Sequence, residues 1–282
     1  MLATSSRVAS ALHRPRVLCG IAPRRMAVCA SAAASVSKVA PLAPLDDTFE
    51  ATHTFTEFAN WVVPGAIMQG QYPFIAPKLC ETRQKGEERI AIILEAGIDT
   101  FVSLNNELPP QPEMTLAGKD GYIGYKATAE LIQAAMNGPP PMELVEGKGL
   151  RTPQMDAFLP PKRKNALQLQ YKPKMPHFVY GPIEDGGVPS QDALAKLLDD
   201  LKARLAAGEV LYVHCAGGKG RSGTVTSALL AAVYGISADE ALTRVRRAFD
   251  TRTNDGNVNT GPLKEDGQTK FVREFVAARL KK

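Results

Sequence analysis

The distribution of apolar and polar positions predicts strands and helices that alternate along most of the chain. An apolar run at 210–213 ends at His214 and, past a glycine-rich stretch, is followed by the apolar helix pattern of 224–234. Earlier, the stretch 86–97 is typical of a helix with acidic residues in its first turn and a glycine stop, and 98–104 is typical of a strand. Strands that alternate with helices indicate an α/β fold.

Capping residues and periodic leucines predict further helices. Ser190 is expected to cap a helix whose leucines recur at helical spacing, and Ser237 opens a capping box for another. A short helix is predicted at 127–136, and the last helix at 268–281. Its inward face is predicted to be Phe271, Val272 and Phe275. Gln268, at its start, is given no catalytic role.

The stretch between the central strand and its helix carries the candidate chemistry. It runs H-C-A-G-G-K-G-R-S-G over residues 214–223. A glycine-rich loop that leads into a helix N-terminus directs backbone N–H groups at one spot and favours an anion there. Cys215 begins this loop, in surroundings that favour the nucleophilic thiolate. Arg221 can hold two phosphate oxygens in a bidentate fork, and the hydroxyl of Ser222 can hydrogen-bond the sulfur.

This motif resembles the active-site loop of cysteine-dependent protein tyrosine phosphatases, in particular the dual-specificity group. The resemblance implies that Cys215 attacks phosphorus, that Ser222 stabilises the returning thiolate, and that His214 orients the loop from behind. It implies a ring of phosphate-binding groups in which the guanidinium of Arg221 joins the backbone N–H groups. That ring is formed by Ala216, Gly217, Gly218, Lys219, Gly220 and Arg221. The implied chemistry requires neither a metal nor a cofactor.

The same family places its general acid in a P-I-x-D loop before the cysteine. Here P-I-E-D precedes two glycines, and Asp185 lies thirty positions before Cys215. Asp185 is therefore expected to protonate the leaving oxygen, because an alkoxide or phenoxide leaves poorly without a proton. Glu184 stays open as the alternative acid. Tyr72 and Pro73 close a stretch similar to the family's opening strands, where Tyr72 would either lie near the substrate groove or be buried in a plain hairpin.

The resemblance spans roughly residues 55–281, apart from an interruption. It implies a protein tyrosine phosphatase-like fold, in which a central mixed, mainly parallel sheet is flanked by helices on both faces. The interruption at 105–175 is Pro-rich and is predicted to be an insert, either a surface excursion packed on the domain or a substrate-selecting flap. Four arginines near the chain end are predicted to form a solvated helix face, with acidic-substrate binding as the alternative. They are Arg244, Arg246, Arg247 and Arg252.

The first 45 residues have a different composition from the rest. Residues 1–45 contain six basic and no acidic side chains and are rich in Ala and Ser, which is typical of an organelle transit peptide. V-C-A-S at 28–31 resembles a plastid processing site, so chloroplast is expected, with mitochondrion as the alternative. We therefore predict a disordered transit peptide and linker at 1–45 and a single catalytic domain at 46–282.

Leaving out residues 1–45 changes how the net charge of the chain is interpreted. The whole chain has 34 basic and 29 acidic residues, a net charge of +5, whereas residues 46–282 have 28 against 29, a net charge of −1. The positive charge is therefore no evidence for nucleic-acid binding, and no apolar run is long enough to predict a membrane span.

Only Cys80 and Cys215 lie beyond the presequence, which excludes a disulfide framework. Cys80 is either a redox partner of Cys215 or an inert thiol.

The expected function is hydrolysis of phosphate monoesters on phosphotyrosine and phosphoserine/threonine proteins through a phosphocysteine. Phosphoinositide and phosphoglucan phosphatases remain alternatives. Lys219 resembles a basic loop residue of the phosphoinositide enzymes, but Ala216 stands where they carry a second lysine. Alternatives from other classes are a phosphoprotein-binding scaffold and a sulfur-transfer or arsenate-reducing enzyme, neither of which needs Asp185.

Overall fold

A five-stranded sheet forms the centre of the fold. The computed structural model describes residues 42–109, 117–137, 175–252 and 267–279. The strands are β1 (Ala59–Val63), β2 (Ile67–Gly70), β3 (Thr100–Asn105), β4 (His177–Ile183) and β5 (Leu211–His214). The helices are α1 (Phe49–Thr52), α2 (Arg83–Glu95), α3 (Lys126–Asn137), α4 (Gln191–Ala206), α5 (Gly220–Tyr234), α6 (Ala238–Asp250) and α7 (Gly267–Arg279).

The order of the strands places the cysteine loop at the middle of one sheet edge. The order is β1-β2-β5-β3-β4, with β1 antiparallel to β2 and the remaining neighbours parallel. β5 therefore lies between β2 and β3, and the chain leaves it at the edge where parallel strands end, the usual position of ligand sites in α/β sheets. The prediction of a mixed, mainly parallel sheet is confirmed.

The two faces of the sheet carry different helices. Because side chains alternate along a strand, Leu211 and Val213 face one side and Tyr212 and His214 face the other. The first side packs against α4, α5, α6 and α7, and the second against α2 and α3. Both faces of the sheet are thus covered, as the sequence predicts.

Local sequence signals place the helix ends where they were expected. The hydroxyl groups of Ser190 and Ser237 accept hydrogen bonds from the N–H groups of Ala193 and Glu240, as N-caps do. Gly235 ends α5 in the left-handed conformation with a φ of 67°, which glycine adopts without steric cost. The predicted helices at 127–136 and 268–281 correspond to α3 and α7 within the described residues.

The packed part of the chain begins before the predicted boundary at residue 46. Leu42 and Leu45 pack against the core, and the hydroxyl of Tyr234 donates to the carbonyl of Ala43 at 2.8 Å. Residues 1–41, which include most of the predicted transit peptide, lie outside the described residues. In the described part of the chain, none of the helices has the length and apolar character needed to span a bilayer.

The predicted insert is in part an integral layer of the fold. Residues 117–137 form a short turn and α3, where Tyr125 is fully buried and Ala129 packs in the core beneath the sheet. These residues therefore pack on the domain, where they bury apolar surface that the sheet would otherwise expose. Residues 110–116 and 138–174 of the insert lie outside the described residues.

Candidate active site

The loop between β5 and α5 is folded back against β2. Gly218 has a φ of +65°, and a Cβ on it would lie 2.3 Å from the carbonyl carbon and oxygen of Gly70. A side chain is therefore excluded both by the backbone conformation and by the close approach. The side-chain amide of Gln69 donates to the Gly218 carbonyl at 2.9 Å, which fixes the bend of the loop.

The candidate nucleophile lies at the bottom of this loop. Cys215 is 3% exposed, and its Sγ lies 3.5 Å from Oγ of Ser222, a residue of the first turn of α5. A sulfur atom and a hydroxyl at this distance can share a hydrogen bond, and an ionised sulfur would accept it. The structure thus brings the predicted cysteine and serine together at the helix N-terminus.

The candidate phosphate-binding arginine is held by a carboxylate that the sequence analysis did not identify. Arg221 is 1% exposed, and its Nη1 and Nη2 donate to Oε2 and Oε1 of Glu107 at 3.0 and 3.1 Å. Nη1 also donates to the carbonyl oxygen of Ile183 at 3.1 Å. Burial alone would raise the pKa of Glu107, but the hydrogen bonds and charge of Arg221 outweigh it, so the pKa lies below its usual value.

The candidate general acid lies at the mouth of the same site. Oδ1 of Asp185 is 3.0 Å from Nη2 of Arg221, while the Asp185 side chain is 83% exposed. Gly186 turns the chain just after it with a φ of +72°. The carboxyl group therefore reaches the guanidinium and remains open to solvent on its other side. The alternative acid, Glu184, is also exposed, and its backbone carbonyl accepts a hydrogen bond from the N–H of Gly187 at 2.9 Å.

The predicted supporting histidine lies behind the loop. His214 is fully buried, and its Nε2 is 2.7 Å from the hydroxyl of Tyr125. Burial lowers the pKa of His214 to about 3, so the imidazole is neutral at physiological pH. A neutral, buried and hydrogen-bonded ring can orient the loop but is poorly placed to act as a base towards solvent, which agrees with the expected role.

Tyr72 also lies behind the loop. Its backbone N–H donates to the carbonyl of Ala216 at 2.9 Å, and its buried hydroxyl donates to the carbonyl of Ile123 at 2.7 Å. Tyr72 and Pro73 are both buried, so the structure supports the plain hairpin with a buried tyrosine. Tyr72 packs edge-on against the ring of His214 and so helps to fix it.

The chemistry available at this site is nucleophilic attack on an anionic centre, followed or accompanied by proton transfer. The sulfur, the guanidinium and the exposed carboxyl group converge on one loop whose N–H groups start a helix. Nowhere in the described ranges do three His, Cys, Asp or Glu side chains gather closely enough to hold a metal ion.

Comparisons with known proteins place the cysteine loop, Arg221 and Asp185 in a known domain. Residues 160–262 match a family model described as "Swiss Army Knife protein, DSP-PTPase phosphatase domain". The chain is 36% identical over 118 residues to "Putative tyrosine phosphatase 067L" of Invertebrate iridescent virus 3. Residues 160–262 belong to the dual-specificity and protein tyrosine phosphatase family.

The matches to this phosphatase family cover limited parts of the sequences compared. The viral match spans 39% of this chain and 48% of the viral protein, so the chain spans about half the length of that relative. A second relative, "Uncharacterized protein MJECL20" of Methanocaldococcus jannaschii, is 30% identical over 112 residues, covering 40% of this chain and 67% of that protein. The crystal structure of Tk-PTP in its active form superimposes with a TM-score of 0.42 at 19% identity, covering 78% of this chain and 97% of Tk-PTP.

Two residues at this phosphatase-family site were missed by sequence reasoning. Glu107 follows β3, a strand that neighbours β5 in the sheet. Because parallel strands end at the same edge of a sheet, this position could have indicated that Glu107 lies near the cysteine loop. Gln268 lies against the loop: a Cβ at Gly220 would be 2.7 Å from its Oε1, and its Nε2 donates to the Gly187 carbonyl at 3.0 Å. It therefore bridges the acid-bearing loop and the cysteine loop.

The prediction of a solvated arginine face is wrong for Arg252, which is 3% exposed. The other three arginines are engaged within the chain, since each has a partner on a neighbouring element or turn. Arg244 pairs with Asp47 and Glu240, Arg246 pairs with Asp250, and Arg247 lies over the ring of Phe49. These contacts favour a structural role over binding of an acidic substrate.

The two cysteines of the described chain are free thiols. Cys80 is buried, and its Sγ lies 3.6 Å from the carbonyl oxygen of Thr82. Such a contact suits an inert thiol, so Cys80 is a suitable control position for cysteine chemistry at the loop.

Proposed function

We propose that this chain is a cysteine-dependent phosphatase that hydrolyses phosphate monoesters on phosphotyrosine and phosphoserine/threonine proteins. One observation carries the proposal, namely the convergence of three reactive groups on one anion-binding loop. The sulfur of Cys215 lies at its floor, the guanidinium of Arg221 lies within it, and the carboxyl group of Asp185 lies 3.0 Å from that guanidinium. The family to which residues 160–262 belong supports the same proposal.

In the first half of the reaction, the phosphoryl group moves from the substrate to sulfur. The phosphate enters the loop, where N–H groups of residues 216–221 and the guanidinium of Arg221 stabilise the charge on its oxygens. The Cys215 thiolate attacks phosphorus in line, forming the S–P bond while the ester P–O bond breaks. Asp185 gives its proton to the leaving oxygen. The products of this step are a phosphocysteine and the free hydroxyl group.

In the second half, water removes the phosphoryl group from sulfur. Asp185, now ionised, takes a proton from the attacking water as the P–O bond forms and the S–P bond breaks. The hydroxyl of Ser222 donates a hydrogen bond to the sulfur and stabilises the departing thiolate. Inorganic phosphate leaves, and the proton on Asp185 is available for the next turnover.

The retained machinery favours an enzyme over a phosphoprotein-binding scaffold. A scaffold would need the anion-binding loop but not an acid at its mouth, whereas Asp185 contacts Arg221 in this structure. The phosphoinositide alternative depends on Lys219, and its Nζ lies 5.9 Å from the ring centroid of Phe249 on α6. Lys219 therefore packs along that helix, which favours protein substrates.

We also propose that residues 1–41 contain a chloroplast-targeting segment. The proposal rests on the absence of acidic residues, the excess of arginine and the processing-like sequence at 28–31. Because Leu42 and Ala43 contact the folded part, processing is expected to occur before residue 42.

Replacing Asp185 tests the proposed general acid. Asp185→Ala should lower kcat for a phosphotyrosine peptide by about 10²- to 10⁴-fold, the range that a positioned acid or base supplies. The loss should be smaller for p-nitrophenyl phosphate, because nitrophenolate leaves with little need for a proton. Phosphate release from phosphotyrosine and phosphoserine/threonine peptides by the full chain measures both the activity and its substrate range.

The matched control is Glu184→Ala, which removes the neighbouring exposed carboxyl group. It should retain activity close to that of the unmodified chain on every substrate. An Asp185→Ala variant that releases phosphate at the normal rate from all substrates, or a Glu184→Ala variant that carries the large loss instead, would contradict the assignment of the acid.

A further inference from the structure

The guanidinium of Arg252 is buried directly beneath the cysteine loop. Arg252 follows the end of α6 and is 3% exposed. Nη1 donates to the carbonyl of Gly217 at 3.3 Å, and Nη2 donates to the carbonyl of Gly218 at 3.0 Å. Nη2 also donates to the carbonyl of Gln69 at 3.0 Å, and Nε donates to Oδ1 of Asn60 at 2.8 Å. One side chain therefore ties the loop to both β1 and β2.

These hydrogen bonds fix which way the loop's N–H groups face. In a planar trans peptide, the carbonyl of one residue and the N–H of the next point in opposite directions. Because the carbonyls of Gly217 and Gly218 point down to Arg252, the N–H groups of Gly218 and Lys219 point up, away from it. The upper side of the loop is the side where an anion would be held. Gln69 reinforces the arrangement by donating to the same Gly218 carbonyl at 2.9 Å.

The charge of Arg252 has no carboxylate partner among its contacts in the described residues. Its acceptors there are three carbonyl oxygens and one amide oxygen, all neutral, and the ring of Phe249 lies 4.4 Å from its Cζ. Burial lowers the pKa of Arg252 to about 10, so the group is still charged at neutral pH. A buried charge is costly without a counter-charge. A Cys215 thiolate, with which Arg252 interacts electrostatically, and a phosphate held in the loop would supply the missing negative charge.

We propose that Arg252 is a positioning residue for the phosphate. It holds the carbonyls of Gly217 and Gly218 towards itself, so that the N–H groups of Gly218 and Lys219 face the anion. It also adds a second buried positive charge near the Cys215 sulfur. The proposal rests on the function proposed above, but its test needs no turnover.

Several titratable and charged groups surround the Cys215 sulfur and bear on its ionisation. They come from β5, α5, the end of α6 and the loops before α3 and α4, and they are Tyr212, His214, Arg221, Arg252, Glu107, Tyr122 and Asp185. Of these, the two arginines favour the thiolate. Removing Arg252 should therefore make the thiolate harder to form, while Arg221 keeps part of the effect.

The experiment follows alkylation of Cys215 by iodoacetamide, a neutral reagent, in the full chain carrying Cys19→Ser, Cys29→Ser and Cys80→Ser, so that Cys215 is its one remaining thiol. The pH dependence of the alkylation rate reports thiolate formation, and protection by inorganic phosphate reports anion binding. Arg252→Met should move the midpoint of the pH profile upward and weaken phosphate protection by about 10-fold or more, the factor for one charge-assisted interaction. Arg252→Lys keeps the charge without the fork, so it should weaken protection but largely restore the midpoint.

The matched control is Arg246→Met, which lies on α6 shortly before Arg252 but is partly exposed and paired with Asp250. It should leave both the midpoint and phosphate protection unchanged. Thermal unfolding is measured in parallel, since a role limited to stability would lower the melting temperature only. Unaltered midpoint and protection in folded Arg252→Met would overturn the proposal.

If Arg252→Met does not fold, Arg252→Lys and Asn60→Ala decide the question. Asn60→Ala removes the acceptor of Nε and, with it, the amide that donates to the carbonyl of Trp61. It leaves the Arg252 charge in place, so it should weaken phosphate protection while leaving the midpoint unchanged. Normal phosphate protection in both of these variants would also overturn the proposal. A chain that shows these effects but releases no phosphate from esters would retain the inference and contradict the proposed function instead.

Discussion

Replacing Cys215 by Ser is expected to abolish phosphate release from aryl phosphates and phosphopeptides. A serine hydroxyl in the same place is a far weaker nucleophile, because hydroxyl groups ionise far less readily than thiols do. The N–H groups and Arg221 that hold the phosphate are untouched by the change. The variant should therefore bind inorganic phosphate about as well as the unmodified chain, as measured by calorimetry, while its turnover falls to the background rate.

Cys80→Ser is the matched control for this prediction. Cys80 is the other cysteine of the described chain, and its Sγ contacts the carbonyl of Thr82. Its replacement should leave turnover unchanged. Normal hydrolysis by Cys215→Ser, or loss of activity in Cys80→Ser with retention in Cys215→Ser, would refute the assignment of the nucleophile.

The second large effect is expected at Arg221. Arg221→Lys should lower kcat/KM for p-nitrophenyl phosphate by about 10³- to 10⁵-fold, the range found when phosphoryl transfer loses an arginine that stabilises the transition state. A lysine is a point charge and cannot hold two equatorial oxygens in parallel. It also cannot reproduce the fork with Glu107, whose two oxygens lie 3.0 and 3.1 Å from Nη1 and Nη2.

Glu107 allows catalysis and stability to be separated. Arg221→Met leaves the half-buried Glu107 carboxylate without its partner, which should destabilise the fold by about 3 kcal/mol in chemical denaturation. Adding Glu107→Gln removes that charge and should recover most of the stability but none of the activity. Recovery of activity in the double variant, or normal kcat/KM in Arg221→Lys, would show that the guanidinium does not stabilise the reacting phosphate.

The parts of the fold set by local sequence were predictable. The run from β5 through the glycines to α5 is contiguous, so the cysteine, the arginine and the helix N-terminus are brought together by a few backbone conformations. Ser190, Ser237 and Gly235 act within one turn of their helices, and the structure confirms the helix ends that they predict. Asp185 was placed by resemblance to the family rather than by local physics, and the structure puts it beside Arg221.

The parts that depend on contacts between distant segments were not predictable in the same way. Glu107 lies 114 positions from Arg221, and Tyr125 lies 89 positions from His214. Both fall in a Pro-rich stretch where periodicity gives little information. The pairing of Glu107 with Arg221 follows only from the strand order, which brings the ends of β3 and β5 to the same edge.

Arg252 shows a related failure of local reasoning. Arg252 closely follows three other arginines in the sequence, and such a cluster of charges favours a solvated helix face. Composition alone cannot show that one of the four is buried. What separates Arg252 is that it lies just past the end of α6, where its side chain meets the carbonyls of Gly217, Gly218 and Gln69. The donors of a guanidinium match such a set of acceptors, but only the folded chain assembles them.

The central claim is that the phosphoryl group passes through the sulfur of Cys215. Asp185→Ala is the form in which to look for it, because p-nitrophenolate can leave without the acid while hydrolysis of the phosphocysteine loses its base. We expect rapid mixing with p-nitrophenyl phosphate, followed by denaturation, digestion and mass spectrometry, to show one phosphoryl group on the peptide that contains Cys215. Release of phosphate at the normal rate with no phosphorylated peptide, or a phosphoryl group on any other residue, would contradict the account.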